Sequence, residues 1–141
     1  MSLQLREGGR PIGLNRLVLA TQNSFRGIAN CYRNESAFRQ EVWAACVLVP
    51  AGLWLGQTGI ERLLLVGAVL LLMLVEMLNS AVEVLVDRIS TERHPLSGYA
   101  KDLGSAAVFF ALLLLFSTWA LVLWDRLFQS FLPFTHFLPF L

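Results

Sequence analysis

The sequence predicts an all-α membrane protein with three transmembrane helices behind an N-terminal amphipathic surface helix, and three observations lead there. Of its 141 residues, 56% are hydrophobic and only 15% charged, with a mean hydropathy of +0.61. A small water-soluble domain does not carry that balance. Residues 42–60, 63–86 and 103–124 are each apolar and long enough for a span, which takes about 20 residues of helix. Ahead of them, Leu14, Leu17, Val18, Thr21, Phe25, Ile28 and Tyr32 recur at spacings of three and four, with Arg16, Asn23, Arg26 and Asn30 on the other side.

The first element therefore reads either as a helix lying in the membrane surface or as one packed on the bundle. The first 30 residues also hold Arg6 and Arg10 but no apolar signal-like core and no small-residue cleavage site, so a signal peptide is not expected. The first span leads into a short connection, residues 54–61, containing Gly56 and Gly59, which predicts an antiparallel hairpin with the second span. The second connection, "RISTERHPLSGYA", is longer and contains His94-Pro95 and Ser97-Gly98. The third span is the cleanest of the three. This gives three regions: a cytoplasmic segment with the surface helix, 1–33; a transmembrane core, 34–127; and a Phe/Pro-rich tail, 128–141. In the tail, Phe128, Phe131, Phe134, Phe137 and Phe140 recur every third residue. With prolines at 133 and 139, that period suits an extended strip with an aromatic edge at the outer interface.

Basic residues set the expected orientation. Arg6, Arg10, Arg16, Arg26, Arg33 and Arg39 precede the first span and Arg88, Arg93 and Lys101 lie between the second and third, against Arg62 and Arg126 at the opposite ends. The N-terminus is then cytoplasmic and the C-terminus on the outer side. A net charge of +1 gives no reason to expect a nucleic-acid partner. Cys31 and Cys46 fall on the cytoplasmic side and in a span, so no disulfide is expected.

The second span carries the chemistry. At about 100° per residue, Asn79, Ser80, Glu83 and Asp87 all fall within about 60° of Glu76, so "EMLNSAVEVLVD" puts its polar groups on one face. Three acids at the bilayer centre would cost roughly 9 kcal/mol, and the large apolar residues from 63 to 75 return roughly 5. Depth relieves the conflict: a span starting at Leu63 reaches the far interface near residue 82, about 30 Å away, which leaves Glu83 and Asp87 among headgroups. Glu76 lies about 9 Å deeper. A lipid hydroxyl would meet it there.

Two further polar sets reach the same level. One is "NESAFRQE", with Asn34, Glu35, Arg39, Gln40 and Glu41; the other is "KDLGSAA", with Lys101, Asp102 and Ser105, beside a loop holding Glu92 and His94. Carboxylates tolerate a triphosphate when a divalent ion stands between, and Mg²⁺ takes such oxygen ligands. Asn79 or Ser80 alone could simply bond helices together. A small proton-coupled multidrug exporter could use Glu76, but it gives no role to Lys101 and Asp102. A phosphoryl-transfer enzyme uses all three sets.

At "NESAFRQE", "VEMLNSAVEVLVDR" and "LSGYAKDLGSAA" the chain resembles the prokaryotic integral-membrane diacylglycerol kinases, over about residues 12 to 127. The resemblance implies a homotrimer in the bacterial inner membrane, with active sites shared between subunits, that moves the γ-phosphoryl of MgATP to diacylglycerol and yields phosphatidic acid. It implies Glu76 as general base, with Asn79 and Lys101 completing the catalytic set and Glu35 and Glu83 as metal ligands. Arg16, Asn23, Glu35, Glu83, Asp87, Glu92, His94, Lys101 and Asp102 are implied as ATP contacts. Arg16, Ala37, Phe38, Arg39, Gln40, Glu41, Glu76 and Ser105 are implied on the lipid side. Asn23 and Arg93 stand where aromatic residues are expected. Undecaprenol kinase is the rival within this fold, offering a hydroxyl at the same depth.

Overall fold

The computed structural model describes residues 14–89 and 94–131, with side chains to residue 126; Glu92, Arg93, the first arginines and the end of the Phe/Pro-rich tail lie outside these. The described residues form four helices and no strand: α1 (Leu14–Asn34), α2 (Ser36–Leu55), α3 (Gly59–Ile89) and α4 (Pro95–Phe131).

α1 and α2 are almost one helix. The break is Glu35, whose extended backbone (φ −102°, ψ 120°) turns the chain while its N–H still donates to the Cys31 carbonyl at 2.8 Å. Arg39 closes the end of α1, its Nη1 donating to the carbonyls of Tyr32 (3.2 Å) and Arg33 (3.0 Å). A cation on the last carbonyls of a helix satisfies orphan acceptors and suits the dipole. No residue of α1 is buried, and Leu14, Leu17, Val18, Phe25 and Ile28 all stand exposed.

α2 ends at Leu55, short of the expected limit at residue 60. Gly56 donates to the Gly52 carbonyl at 2.9 Å, and the chain turns through Gln57 and Thr58. α3 then starts on Thr58 as N-cap: the Glu61 N–H donates to Thr58 Oγ1 (3.1 Å), and Glu61 Oε2 reaches back to accept from the Gln57 N–H (2.9 Å). Gly52 is buried where α2 meets α3, and a β-carbon there would lie 3.1 Å from Leu65 Cβ. Its bareness sets the distance between the two helices.

α3 and α4 are long and apolar enough to cross a membrane; α2 falls short by the same measure. The first turns of α2 spend Arg39, Gln40 and Glu41, and from Val42 to Leu55 it rises only about 21 Å. α4 also begins earlier than expected. About half of the loop before the third span forms its first turns, because Pro95 needs no donor at a first helical position and His94 caps it. His94 accepts the Leu96 N–H on Nδ1 (3.2 Å) and the Ser97 and Gly98 N–H on its carbonyl. At the other end α4 takes in residues 128–131, where an extended tail was expected to begin.

The core is a stripe on α3, Leu65, Ala68, Val69 and Leu72, packed against Ala111 and Leu115 of α4 and flanked by Leu48 and Val49 of α2. Trp119 Nε1 donates to the Leu65 carbonyl at 3.2 Å and ties α4 to it. The outer surface stays apolar, with Trp43, Val47, Leu70, Leu74, Phe110 and Phe116 each more than half exposed. So wide an apolar exterior belongs against lipid or further protein.

Candidate active site

The buried stripe of α3 continues at the same helical spacing, 65, 68, 69, 72, and its next members are Glu76 and Ser80, 5% and 8% exposed. The inner face of one helix thus changes from apolar to polar without leaving the interior. Exposure then rises along the face: Asn79 and Glu83 are half-buried, and the side chain of Asp87 is 66% exposed. The polar face runs from the packed interior out to the helix end.

The end of α1 covers this transition. Cys31 Sγ lies 3.9 Å from Ser80 Oγ, and the thiol lies within electrostatic range of Glu35, Glu76 and Glu41. Burial raises the Cys31 thiol above its ordinary 9.0, against a lowering by Ser80, and the three carboxylates raise it further. This cysteine is a poor nucleophile at neutral pH. Glu76 in turn interacts with the charges of Glu83 and Glu35. Acids from three elements therefore meet here: Glu35 where α1 breaks, Glu41 on α2, and Glu76 and Glu83 on α3.

Each acid keeps acceptor capacity. Glu35 occupies the N-cap of α2 yet makes no capping bond with its side chain. Glu41 Oε2 is buried with no hydrogen-bond partner, as is Asn79 Oδ1. Glu83 has one donor, Asn79 Nδ2, at 3.1 Å to its Oε1. Lys101 Nζ reaches Asp87 Oδ1 at 2.6 Å, an exposed pair that ties the start of α4 to the end of α3.

Among the described residues, no group of three or more His, Cys, Asp or Glu side chains could hold a metal ion. The remaining donor set, carboxylates free of capping duty or held by a single amide, fits Mg²⁺ arriving on a nucleotide. That ion keeps water and phosphate ligands and takes one or two carboxylates from protein.

The other expected residues are scattered around this centre. Asp102 and Ser105 are exposed on the first turns of α4, and Ala37 and Gln40 on α2. Phe38 is 1% exposed, inside the packing of the single chain. Arg16 and Asn23 are exposed on α1, upstream of Cys31, and no hydrogen bond of theirs to α3 is seen among the described residues. Arg39 and His94 cap helices. Gln40 and Glu41 stand at the polar end of a cavity of about 290 Å³ between α2, α3 and α4, walled by Leu48, Leu72, Leu115 and Phe116. The sequence reading passed over Cys31 as a wall of this site and Gly104 as the α4 residue facing Asn79. The one signal for Gly104 was the small-residue run "GSAA" beside polar groups.

The sequence profile of prokaryotic diacylglycerol kinase matches residues 22–123. The diacylglycerol kinase of Haemophilus influenzae is 50% identical over 111 residues, 79% of this chain and 94% of the relative. That of Escherichia coli K12 is 46% identical over 114 residues, 81% and 93% of the two chains. That of Pseudomonas aeruginosa is 49% identical over 111 residues, covering 79% and 90%.

Proposed function

Because the chain belongs to the prokaryotic diacylglycerol kinase family, we propose that it phosphorylates the free hydroxyl of diacylglycerol from MgATP, with Glu76 as the base that receives the hydroxyl proton. The observation that carries this is the position of Glu76, 5% exposed where the inner face of α3 turns polar. A carboxylate at that depth meets an acceptor from the membrane, and Glu83, about 10 Å further along the axis, meets a donor from water.

In the step itself the lipid oxygen bonds to the γ-phosphorus, the bond to the β,γ-bridging oxygen breaks, the proton passes to Glu76, and ADP leaves. Glu35 and Glu83 would hold the Mg²⁺ that accompanies ATP, and the ion would offset phosphate charge. Asn79 fixes the carboxylate of Glu83 through the bond at 3.1 Å. Lys101, held near by Asp87, swings its ammonium to the phosphates, with Asp102 and His94 alongside, and Arg16, Asn23 and Glu92 complete the nucleotide contacts. The cavity beside Gln40 and Glu41 offers an apolar wall to an acyl chain, Ala37, Arg39 and Ser105 belong to the same lipid side, and Phe38 packs behind them inside the chain.

The reading includes a homotrimer in the inner membrane, with α2 as a third crossing, α1 on the cytoplasmic surface through its exposed apolar face, and the C-terminus periplasmic. The trimer comes from the family resemblance, and the exposed apolar exterior and the site atoms without partners in one chain leave room for neighbouring copies. Neighbouring copies would close α2 in lipid, since buried helices cross at lengths that an isolated helix would not.

The test is transfer from labelled ATP with Mg²⁺ to diacylglycerol or undecaprenol in mixed micelles. Phosphatidic acid is the expected product; transfer to undecaprenol instead would move the assignment to the rival acceptor, and no lipid-dependent transfer would remove the kinase reading. The exporter reading draws no support from the family.

A further inference from the structure

Gly104 sits on α4 where that helix crosses the polar face of α3. A β-carbon built at this position would overlap Asn79 Oδ1 and would lie 3.2 Å from Asn79 Cγ, while Asn79 Cα is 3.8 Å away. The tight approach is therefore to the end of the asparagine side chain and not to the backbone. That oxygen is buried and has no hydrogen-bond partner, and the same amide holds Glu83 Oε1 through Nδ2 at 3.1 Å. The two ends of the amide are fixed by different things. Nδ2 faces Glu83 because a carboxylate only accepts, so turning the amide over would set oxygen against oxygen. Oδ1 has no bond to hold it and occupies only the space that Gly104 leaves.

We propose that Gly104 is a positioning residue for Glu83, acting through Asn79: its missing side chain is what lets the Asn79 amide lie in the orientation that donates to the carboxylate. This rests on the reading of Glu83 as a holder of the nucleotide's metal. Alanine suits a helix interior better than glycine, and the clash is with a movable side-chain end. Gly104→Ala is thus expected to fold, with Asn79 swung aside and Glu83 without its donor. Losing a partner that orients a ligand costs about ten- to a hundredfold in metal affinity.

The experiment measures binding of Mg²⁺ with a non-hydrolysable ATP analogue, and the KM for diacylglycerol, on full-length Gly104→Ala, Asn79→Ala, the double variant and Glu83→Gln. Gly104→Ala should weaken Mg-nucleotide binding about ten- to a hundredfold and leave the lipid KM within about twofold. The double variant should bind as Asn79→Ala alone does, because the methyl group then meets no amide. Unchanged nucleotide binding in Gly104→Ala, an equal shift in lipid KM, or a further loss on top of Asn79→Ala would overturn the proposal. Should Gly104→Ala fail to fold, a folded double variant with the affinity of Asn79→Ala supports it, and a double variant that also fails to fold overturns it. Glu83→Gln separates the two levels. Unchanged Mg²⁺ dependence there removes the metal reading and this inference with it, whereas a loss there with none in Gly104→Ala removes only the inference.

Discussion

At its first turn, α3 carries an acid whose needs are met inside the chain: Glu61 Oε2 accepts from the Gln57 N–H and from Arg126 Nη2, both at 2.9 Å, and beside it Arg62 Nε donates to the Gly56 carbonyl at 2.8 Å. Further along the same helix, Glu76 is buried among other acids, Glu83 has a single amide donor and Asn79 Oδ1 has none, nor has Glu41 Oε2 on the neighbouring α2. Leaving buried polar atoms unpaired costs free energy that folding alone would not retain. Around Glu61 the polar atoms of α3 are paired within the chain, whereas around Glu76 and Glu83 several keep acceptor capacity. Both groups would look alike in a count of charges.

Four variants sharpen that contrast. Glu76→Gln has the largest expected effect, a fall in kcat of about 10²–10⁴ in the mixed-micelle assay, the range general-base catalysis commands. Glu83→Gln comes next, weakening Mg-nucleotide binding about ten- to a hundredfold and raising the Mg²⁺ concentration for half-maximal turnover. At the opposite end, Arg126→Met should lower the thermal midpoint in detergent while kcat stays within about twofold, since that ion pair is partly solvated and remote from the acids of the site. An Arg126→Met enzyme that stayed folded but lost turnover would break the distinction between the ends. Cys31→Ala should do least, changing stability by about 0.5 kcal/mol or less, because its contact with Ser80 is a weak one at 3.9 Å. With its pKa raised by burial, Cys31 carries less thiolate than an ordinary thiol below pH 9. Its alkylation in a Cys46→Ala background should be slow at pH 8 and still rising with pH above 9.0, the ordinary thiol value; a rate already level at pH 8 would contradict that.

The polar face of α3 was legible because helical spacing alone gathers Glu76, Asn79, Glu83 and Asp87 on one side. Helix ends were less legible. The apolar run to residue 60 overshoots α2, which ends at Leu55, while the connection expected over residues 54–61 from Gly56 and Gly59 is where the chain turns. His94-Pro95 read as a loop because a helix start of that kind depends on the backbone it caps. Contacts between distant elements left almost no trace in the order of residues. The pairing of Cys31 with Ser80, the use of Arg39 to close α1, and the fit of Gly104 against Asn79 each depend on how helices cross. Phe38 illustrates the same limit, since an aromatic residue beside a span has the same letter whether it faces lipid or, as here, the packed interior.

The central claim is that Glu76 serves the lipid hydroxyl and Glu83 the metal on the nucleotide. It is tested most directly by titrating Mg²⁺ with a non-hydrolysable ATP analogue into Glu76→Gln and Glu83→Gln side by side. The account predicts that Glu76→Gln binds within about threefold of the unaltered enzyme despite its lost turnover, and that Glu83→Gln binds at least about tenfold more weakly. Equal losses in both variants, or a loss confined to Glu76→Gln, would contradict it.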